Sequence, residues 1–357
     1  MSTVWVIGSG QLGAMMRQAA APLGVDVRPI DASFDHTTLS ELKDDDVVTP
    51  EIEFWRSAEV TDKLAAHPNF INRDVFPVIA DRFSQKQALD TVGVATAPWC
   101  EVATKTSEQD LYDALGQQVL LKRRKGGYDG RGQHWLKTVD AKIPDDFRDA
   151  AIAEQAIPFS DEVSIIGVRS QTGETRFYPL SQNHHVNGIL KATIGNGQKF
   201  SHLQSVAEEM LSKVLTHFNY IGVMAMECFV VGAMNEQQLL VNELAPRVHN
   251  SGHWTQAGSS INQFESHIRA IANLPLGNPS YHGMTVMVNL VGTEYDSRWL
   301  EVEGAELYWY QKDVRLGRKL GHINILNPSM NSLEKLAELL PDDAQVFEWL
   351  AGQLAES

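Results

Sequence analysis

The amino-acid sequence predicts a parallel α/β domain followed by α+β domains built on antiparallel sheet. Three observations carry this. Residues 4–30 alternate strand, glycine turn, helix and strand. Short apolar runs at 118–122, 133–137 and 151–155 frame a loop of glycine and charge, and beyond about residue 160 the β-like runs lengthen and alternate with helices at 206–217 and 262–273. At 357 residues the chain exceeds one ordinary core and suits three domains, 1–97, 98–184 and 185–357.

The first domain opens on the apolar strand Val4–Ile7, the turn Gly8-Ser-Gly-Gln-Leu-Gly13, a helix over 15–23 and a second strand over 25–30, with further strand material at 44–48 and 70–72. A βαβ order implies parallel strands with helices on their faces. The module ends at Ala97-Pro98, where proline and a change of pattern mark a linker. The last thirty residues, from about Pro328, read as acidic helix. Trp99 and Trp254 are read as core residues.

Composition narrows the partners. The 45 acidic residues against 30 Lys and Arg give a net charge of -15, which repels phosphate backbones and anionic membrane surfaces. No run approaches the ~20 apolar residues of a membrane span, and the start of the chain has no basic flank before its apolar run, so no signal peptide is expected. The two cysteines, Cys100 and Cys228, form no metal-ligand spacing and fit a reducing, cytoplasmic setting.

Gly8-x-Gly10-x-x-Gly13 follows a strand and opens a helix, where bare amides and the helix dipole suit a phosphate. With Asp31 at the end of the second strand, it admits a NAD-dependent oxidoreductase. Such a turn serves equally for close helix packing.

Two further features weigh more. The segment from Lys122 to Gly132 begins with four basic residues and continues in paired glycines, suiting a mobile flap over a polyphosphate; it lacks the Gly-Lys-Ser/Thr of a Walker loop. Residues 222–231 and 238–244 read as a hairpin centred on Asn235, which sets Glu227 opposite Glu243 on one face. Facing carboxylates on apolar strands call for a cation, and two acids plus phosphate oxygens are a common way to hold Mg²⁺. His249 and His253 have i, i+4 spacing, but Asn250 and Gly252 break the helix a zinc pair would need.

Flap, paired acids and strand order together resemble the ATP-grasp superfamily, in which ATP lies between two α+β subdomains. Five runs narrow the resemblance: Asn72-Arg-Asp-Val-Phe-Pro77, Ala80-Asp-Arg-Phe-Ser-Gln-Lys86, Gly126-Gly-Tyr-Asp-Gly-Arg-Gly132, Asn242-Glu-Leu-Ala-Pro-Arg-Val-His-Asn-Ser-Gly-His253 and Gly317-Arg-Lys-Leu-Gly-His322. Together they are similar to the 5-(carboxyamino)imidazole ribonucleotide synthase family, over about residues 4–325. Ala245 stands where many superfamily members carry asparagine, a departure the narrower family shares, and it leaves the full metal ligand set open.

The resemblance implies an ATP-grasp fold with an N-terminal Rossmann-like domain and a mobile central lid. It also implies an ATP- and Mg²⁺-dependent ligase that carboxylates aminoimidazole ribonucleotide with bicarbonate through carboxyphosphate, acting as a homodimer. For ATP it implies Arg82, Lys122, the flap residues Gly127, Tyr128, Asp129, Gly130, Arg131, Gly132 and Gln133, the strand end Glu154, Gln155, Ala156 and Ile157, then Glu162, His185, Asn242 and Glu243. Glu227 and Glu243 would hold the metal. Gln11, Leu12, Glu51, Tyr128, Arg131, Arg315, Arg318 and Lys319 would hold the ribonucleotide, so the first glycine loop serves that ligand. Arg247, His249 and Arg131 would act on bicarbonate and carboxyphosphate. The rivals are another ATP-grasp carboxylate–amine ligase, the NAD-dependent oxidoreductase, and a nucleotide sensor without turnover; the last leaves the metal acids without a purpose.

Overall fold

A computed structural model describes residues 2–31, 39, 41–127, 131–138, 140–234 and 236–355. The expectations for Tyr128, Asp129, Gly130 and the turn at Asn235 fall outside these residues.

Three sheets organise the described chain. The first is parallel, in the order β2 (Val27–Ile30), β1 (Val4–Ile7), β3 (Val47–Pro50). Residues 70–72 add one bridge, Val48 to Phe70, and no strand. β1 is buried on both faces, as its unbroken apolar run requires. Val4 and Val6 pack with Met16 of the helix Gln11–Ala20, and Trp5 and Ile7 with Val48, Phe70 and Phe76.

The second sheet, β4 (Trp99–Glu101), β7 (Ala151–Gln155), β5 (Val119–Arg123) and β6 (Gln133–Leu136), is antiparallel and has its own small core around Leu111, Leu121 and Ala153. Trp99 is half-buried and not a core residue. It sits on the edge strand, packs edge-on against Phe83 at 5.5 Å and donates to Asp90. Trp254 is fully buried.

The third sheet has nine strands: β8 (Asp161–Arg169), β9 (Thr175–Phe177), β10 (Ser181–Val186), β11 (Ile189–Gly195), β12 (Gly222–Val231), β13 (Gln238–Ala245), β14 (Thr285–Val291), β15 (Ala305–Trp309) and β16 (Lys319–Leu326). Because β8 and β10 pair here, the boundary expected at residue 184 lies, by sheet membership, between Gln155 and Asp161. Long-range pairing, which has no local signature, decides this. The helix Gln204–His217 covers one face through Ala207, Leu211 and Val214. The helices Met330–Leu339 and Ala344–Ala355 cover the sheet's far end through Leu333, Leu336 and Val346. No helix among the described residues is long and apolar enough to cross a membrane.

Candidate active site

The site grows out of β12 and β13. On β12, Met224, Met226 and Cys228 face the core under the helix Gln204–His217, and Val223 and Ala225 face a second core. Strand alternation then sends Glu227 and Phe229 out on the Val223 face, where it opens into a cavity. On β13, Leu239, Val241 and Leu244 all face the core, which strict alternation forbids. A bulge resolves this. The ladder pairs Cys228 with Val241 but Glu227 with Glu243, leaving Asn242 as the extra residue. Asn242 and Glu243 therefore both line the cavity with Glu227.

Basic groups arrive from the lid sheet and from the helix Arg82–Thr91. Lys122, at the end of β5, is buried, with Nζ 2.6 Å from Glu154 Oε2 and 2.9 Å from Asn242 Oδ1. Lys86 Nζ approaches the other Glu154 oxygen at 2.7 Å. Burial works against ionisation of Glu154, yet the two lysines hold its carboxyl down at about 2. Arg82 Nη1 donates to Glu243 Oε2 at 2.9 Å and Nη2 to the Gly127 carbonyl at 3.2 Å, tying the flap to the large sheet.

The two facing acids differ in state. Burial pushes the Glu227 carboxyl up, with Glu243 and Glu162 adding repulsion; Arg82 outweighs burial at Glu243 and holds that carboxyl down. Glu227 Oε1 is buried without a hydrogen bond. Directly opposed carboxylates destabilise a ladder pair when both are ionised. The pair fits a divalent cation completed by phosphate oxygens. No group of three or more His, Cys, Asp or Glu among the described residues makes a metal cage, and His253 is spent on Gln263 at 3.0 Å.

His185 Nδ1 lies 3.2 Å from Glu162 Oε2; burial opposes its charge, but Glu162 and Glu227 raise it above the ordinary imidazole range. Leu120, Leu190, Phe159 and Phe229 give the same cavity, of about 320 Å³, an apolar wall, and the two phenylalanines stack at 4.5 Å. Arg131 and Gln133 line it too. At the strand end expected to meet adenine, the Glu154 side chain turns down to the lysines, and the amides of Gln155 and Ala156 donate to Pro98 and Gln118 carbonyls. Gln155 is exposed, while Ala156, Ile157 and Gly132 are half-buried.

A second cavity, of about 520 Å³, adjoins the first and shares Arg82, Glu243, His249, Asn250 and Lys319 with it. Gln11, Leu12, Glu51, Arg247 and Tyr310 line its remaining wall. Arg247 Nη2 pairs with Glu53 at 2.8 Å. His249 Nδ1 sits 2.9 Å from Ser251 Oγ and accepts from the Ser251 amide, which leaves Nε2 to carry the proton. Burial, then Arg247, depress this imidazole to about 3, so it is neutral. It is a donor and not a ready base.

The glycine loop is not a dinucleotide site. The amides of Gly10 and Gly13 donate to the two oxygens of Glu51, the second at 2.6 Å, and Glu51 is 3% exposed. A Cβ on Gly10 would stand 2.8 Å from Glu51 Oε1. Glycine is needed because a carboxylate of the same chain fills the anion position, which overturns the oxidoreductase reading and commits most of Glu51 to the loop. Gln11 instead meets Lys312. Arg315 and Arg318 sit on the loop before β16. Arg318 donates to the Asp313 carbonyl at 3.0 Å and Arg315 is well exposed; neither of them lines either cavity. Only Lys122 and Arg131 of the basic flap residues turn to the nucleotide-sized cavity. Arg123 pairs with Asp146 and Arg124 with Asp81.

Sequence reasoning missed Glu53, Lys86, Asn250, Tyr310, Lys312 and the Phe159–Phe229 wall. Glu53, Asn250 and Phe229 lie within two residues of expected site residues and Lys86 one helical turn from Arg82, but none carries a periodic signal of its own.

A polyphosphate-sized cavity between a lid sheet and a large antiparallel sheet, with paired acids on the latter, defines an ATP-grasp enzyme. The ATP-grasp domain model matches residues 87–264, and that of the phosphoribosylaminoimidazole carboxylase C-terminal domain residues 285–336. The N5-carboxyaminoimidazole ribonucleotide synthases of Haemophilus influenzae and Escherichia coli are each 47% identical, over 96% of this chain and 95% and 96% of theirs. The crystal structure of the Thermus thermophilus synthetase superposes with a TM-score of 0.82 at 35% identity, over 94% of this chain and 98% of that one. The chain belongs to the N5-carboxyaminoimidazole ribonucleotide synthase family. A further relative, the Aspergillus clavatus synthase in complex with ADP and 5-aminoimidazole ribonucleotide, is 25% identical over 96% of this chain and 98% of that one, with a TM-score of 0.77.

Proposed function

We propose that this enzyme uses ATP and bicarbonate to carboxylate the exocyclic amine of 5-aminoimidazole ribonucleotide, releasing ADP and phosphate, in purine biosynthesis. The observation that carries the reading is the junction of two cavities at Arg82, Glu243, His249, Asn250 and Lys319. ATP occupies the smaller, with adenine against Leu120, Leu190 and Phe229 and the phosphates toward Lys122, Arg131 and His185. The ribonucleotide occupies the larger, beside Gln11 and Leu12, with its phosphate toward Lys312, Arg318 and Lys319.

Bicarbonate meets the nucleotide at the junction. Its oxygen attacks the γ-phosphorus, the bond to ADP breaks, and carboxyphosphate forms. Arg247, oriented by Glu53, and the Nε2–H of His249 stabilise the anionic oxygens as charge shifts. The amine nitrogen then bonds to the carboxyl carbon, phosphate leaves and the nitrogen loses a proton. Glu227 and Glu243 would hold Mg²⁺, whose chemistry there is neutralisation of the phosphate oxygens. Flap closure over the junction excludes water from the mixed anhydride.

The same reading places the enzyme in a reducing cytoplasm, consistent with two free thiols, and makes it a homodimer, which sedimentation at micromolar concentration tests. The function is tested by ADP release from Mg-ATP and bicarbonate with and without the ribonucleotide, following labelled bicarbonate. Ribonucleotide-dependent ADP with label in a carbamate is expected. ATP turnover indifferent to the ribonucleotide would keep the ATP-grasp chemistry and point to another carboxylate–amine ligase.

A further inference from the structure

His322 closes the run Gly317–His322 and has no part in the chemistry above. It is fully buried on β16, with Tyr308 stacked on it at 4.6 Å and the His253 ring at 4.7 Å. Its nitrogens have one partner each: Nδ1 lies 2.6 Å from the Tyr310 hydroxyl and Nε2 lies 3.0 Å from Gln256 Oε1. Tyr310 lines the larger cavity.

We propose that Tyr310, its hydroxyl proton locked onto His322, presents only acceptor lone pairs to the larger cavity and selects a substrate with an N–H or O–H donor there. The polarity is set three contacts away. The amide nitrogen of Gln256 donates to Met15 Sδ at 3.6 Å, on the helix Gln11–Ala20, and a thioether only accepts. Gln256 therefore turns its oxygen to His322, and Nε2 must carry the proton. Burial holds this imidazole neutral, at about 3, so Nδ1 is bare and Tyr310 must donate to it. The phenolic oxygen keeps two lone pairs and no free proton. The helix whose first residues line the cavity thus also fixes, through Met15, the polarity of the opposite wall.

The inference rests on the larger cavity being the ribonucleotide site, where the amine and the ribose hydroxyls are the available donors. A cavity merely lined by tyrosine would tolerate an acceptor equally well; this one leaves it unpaired.

Histidine-selective ¹⁵N NMR of the ligand-free enzyme reads the polarity directly. His322, assigned by its loss in His322→Asn, should show a protonated Nε2 and an unprotonated, hydrogen-bonded Nδ1; the other tautomer or an imidazolium overturns the proposal. In kinetics, Tyr310→Phe should raise the KM for the ribonucleotide roughly tenfold, with the KM for ATP unchanged. His322→Leu frees the hydroxyl proton and should do the same, while His322→Asn, whose side-chain oxygen replaces the Nδ1 acceptor, should recover most of the loss. An unchanged ribonucleotide KM in Tyr310→Phe also overturns it. A wild-type enzyme indifferent to the ribonucleotide would instead sink the functional reading and the ligand named here, while the tautomer would still decide the polarity.

Discussion

Glu227 and Glu243 face each other across β12 and β13 because Asn242 is an extra residue on β13. Strict alternation after Leu239 and Val241 would point Glu243 into the core and bring Asn242 opposite Glu227. The bulge sends both Asn242 and Glu243 to the cavity, so one irregularity supplies the second facing acid and the amide that accepts from Lys122.

If the pair is a cation site, Glu227→Gln removes a buried like-charge contact and a ligand together. Ligand-free Tm should hold or rise, whereas the stabilisation by Mg-ATP should shrink and ADP formation fall by at least about 100-fold. Glu243→Gln should abolish turnover too, but with a lower Tm, since it leaves the half-buried Arg82 guanidinium without its nearest anion. Equal thermal effects of the two variants would contradict the assignment.

Lys312 and Arg318 divide from the ATP residues by position. Arg318→Ala and Lys312→Met should each weaken ribonucleotide binding by about tenfold or more and leave the ATP Kd within about twofold, measured by calorimetry; a charge-assisted contact is worth roughly 1.5–3 kcal/mol. Arg315→Ala, on a side chain 71% exposed against 37% for Arg318, should change neither constant. Parallel losses for both ligands would undo the division of the basic residues.

What the sequence made legible follows from range. The parallel module, the lid strands and the helices were readable because apolar periodicity is local. The Glu227–Glu243 pair was reached from a hairpin centred on Asn235, yet the ladder reaches it through a bulge instead. Gly8–Gly13 announced an anion position, but nothing local shows that Glu51, some forty residues on, fills it. The same holds for the buried triad of Lys86, Glu154 and Lys122, drawn from three separate segments, and for Lys312, which meets Gln11 from the far end of the chain.

Stability should fall in acid in two separable windows. His267 is fully buried between β3 and β12, accepting from the Val223 amide at 3.1 Å and meeting Thr49 Oγ1 at 3.2 Å. Burial depresses it from 6.5 to about 4. A depressed folded pKa contributes stability that is present above 6.5 and lost as pH falls toward about 4, here about 3 kcal/mol in all. His322 acts with the same sign down to about 3. Glu154, held at about 2, begins to lose its contribution only below about 4.5. His267→Asn keeps an acceptor for Val223 and should lower Tm at neutral pH while flattening its decline between pH 6.5 and 4.5. An unchanged slope in that interval would show that His267 does not titrate on unfolding.

Arg247 and Glu53 separate fold from chemistry. The guanidinium Nε is buried without a partner, and Nη2 depends on Glu53 for its anion. Arg247→Met leaves Glu53 unpaired near Glu51, so both stability and activity should fall. Adding Glu53→Gln removes that stranded charge and should restore most of the Tm. Activity should stay at least about 100-fold down, because the cation proposed to stabilise carboxyphosphate is still missing. Arg247→Lys keeps the charge but not the planar fork, and should retain the Tm better than the turnover. Were the double variant to recover both Tm and turnover, Arg247 would be a structural partner of Glu53 and the anion-stabilising role would pass to His249 alone.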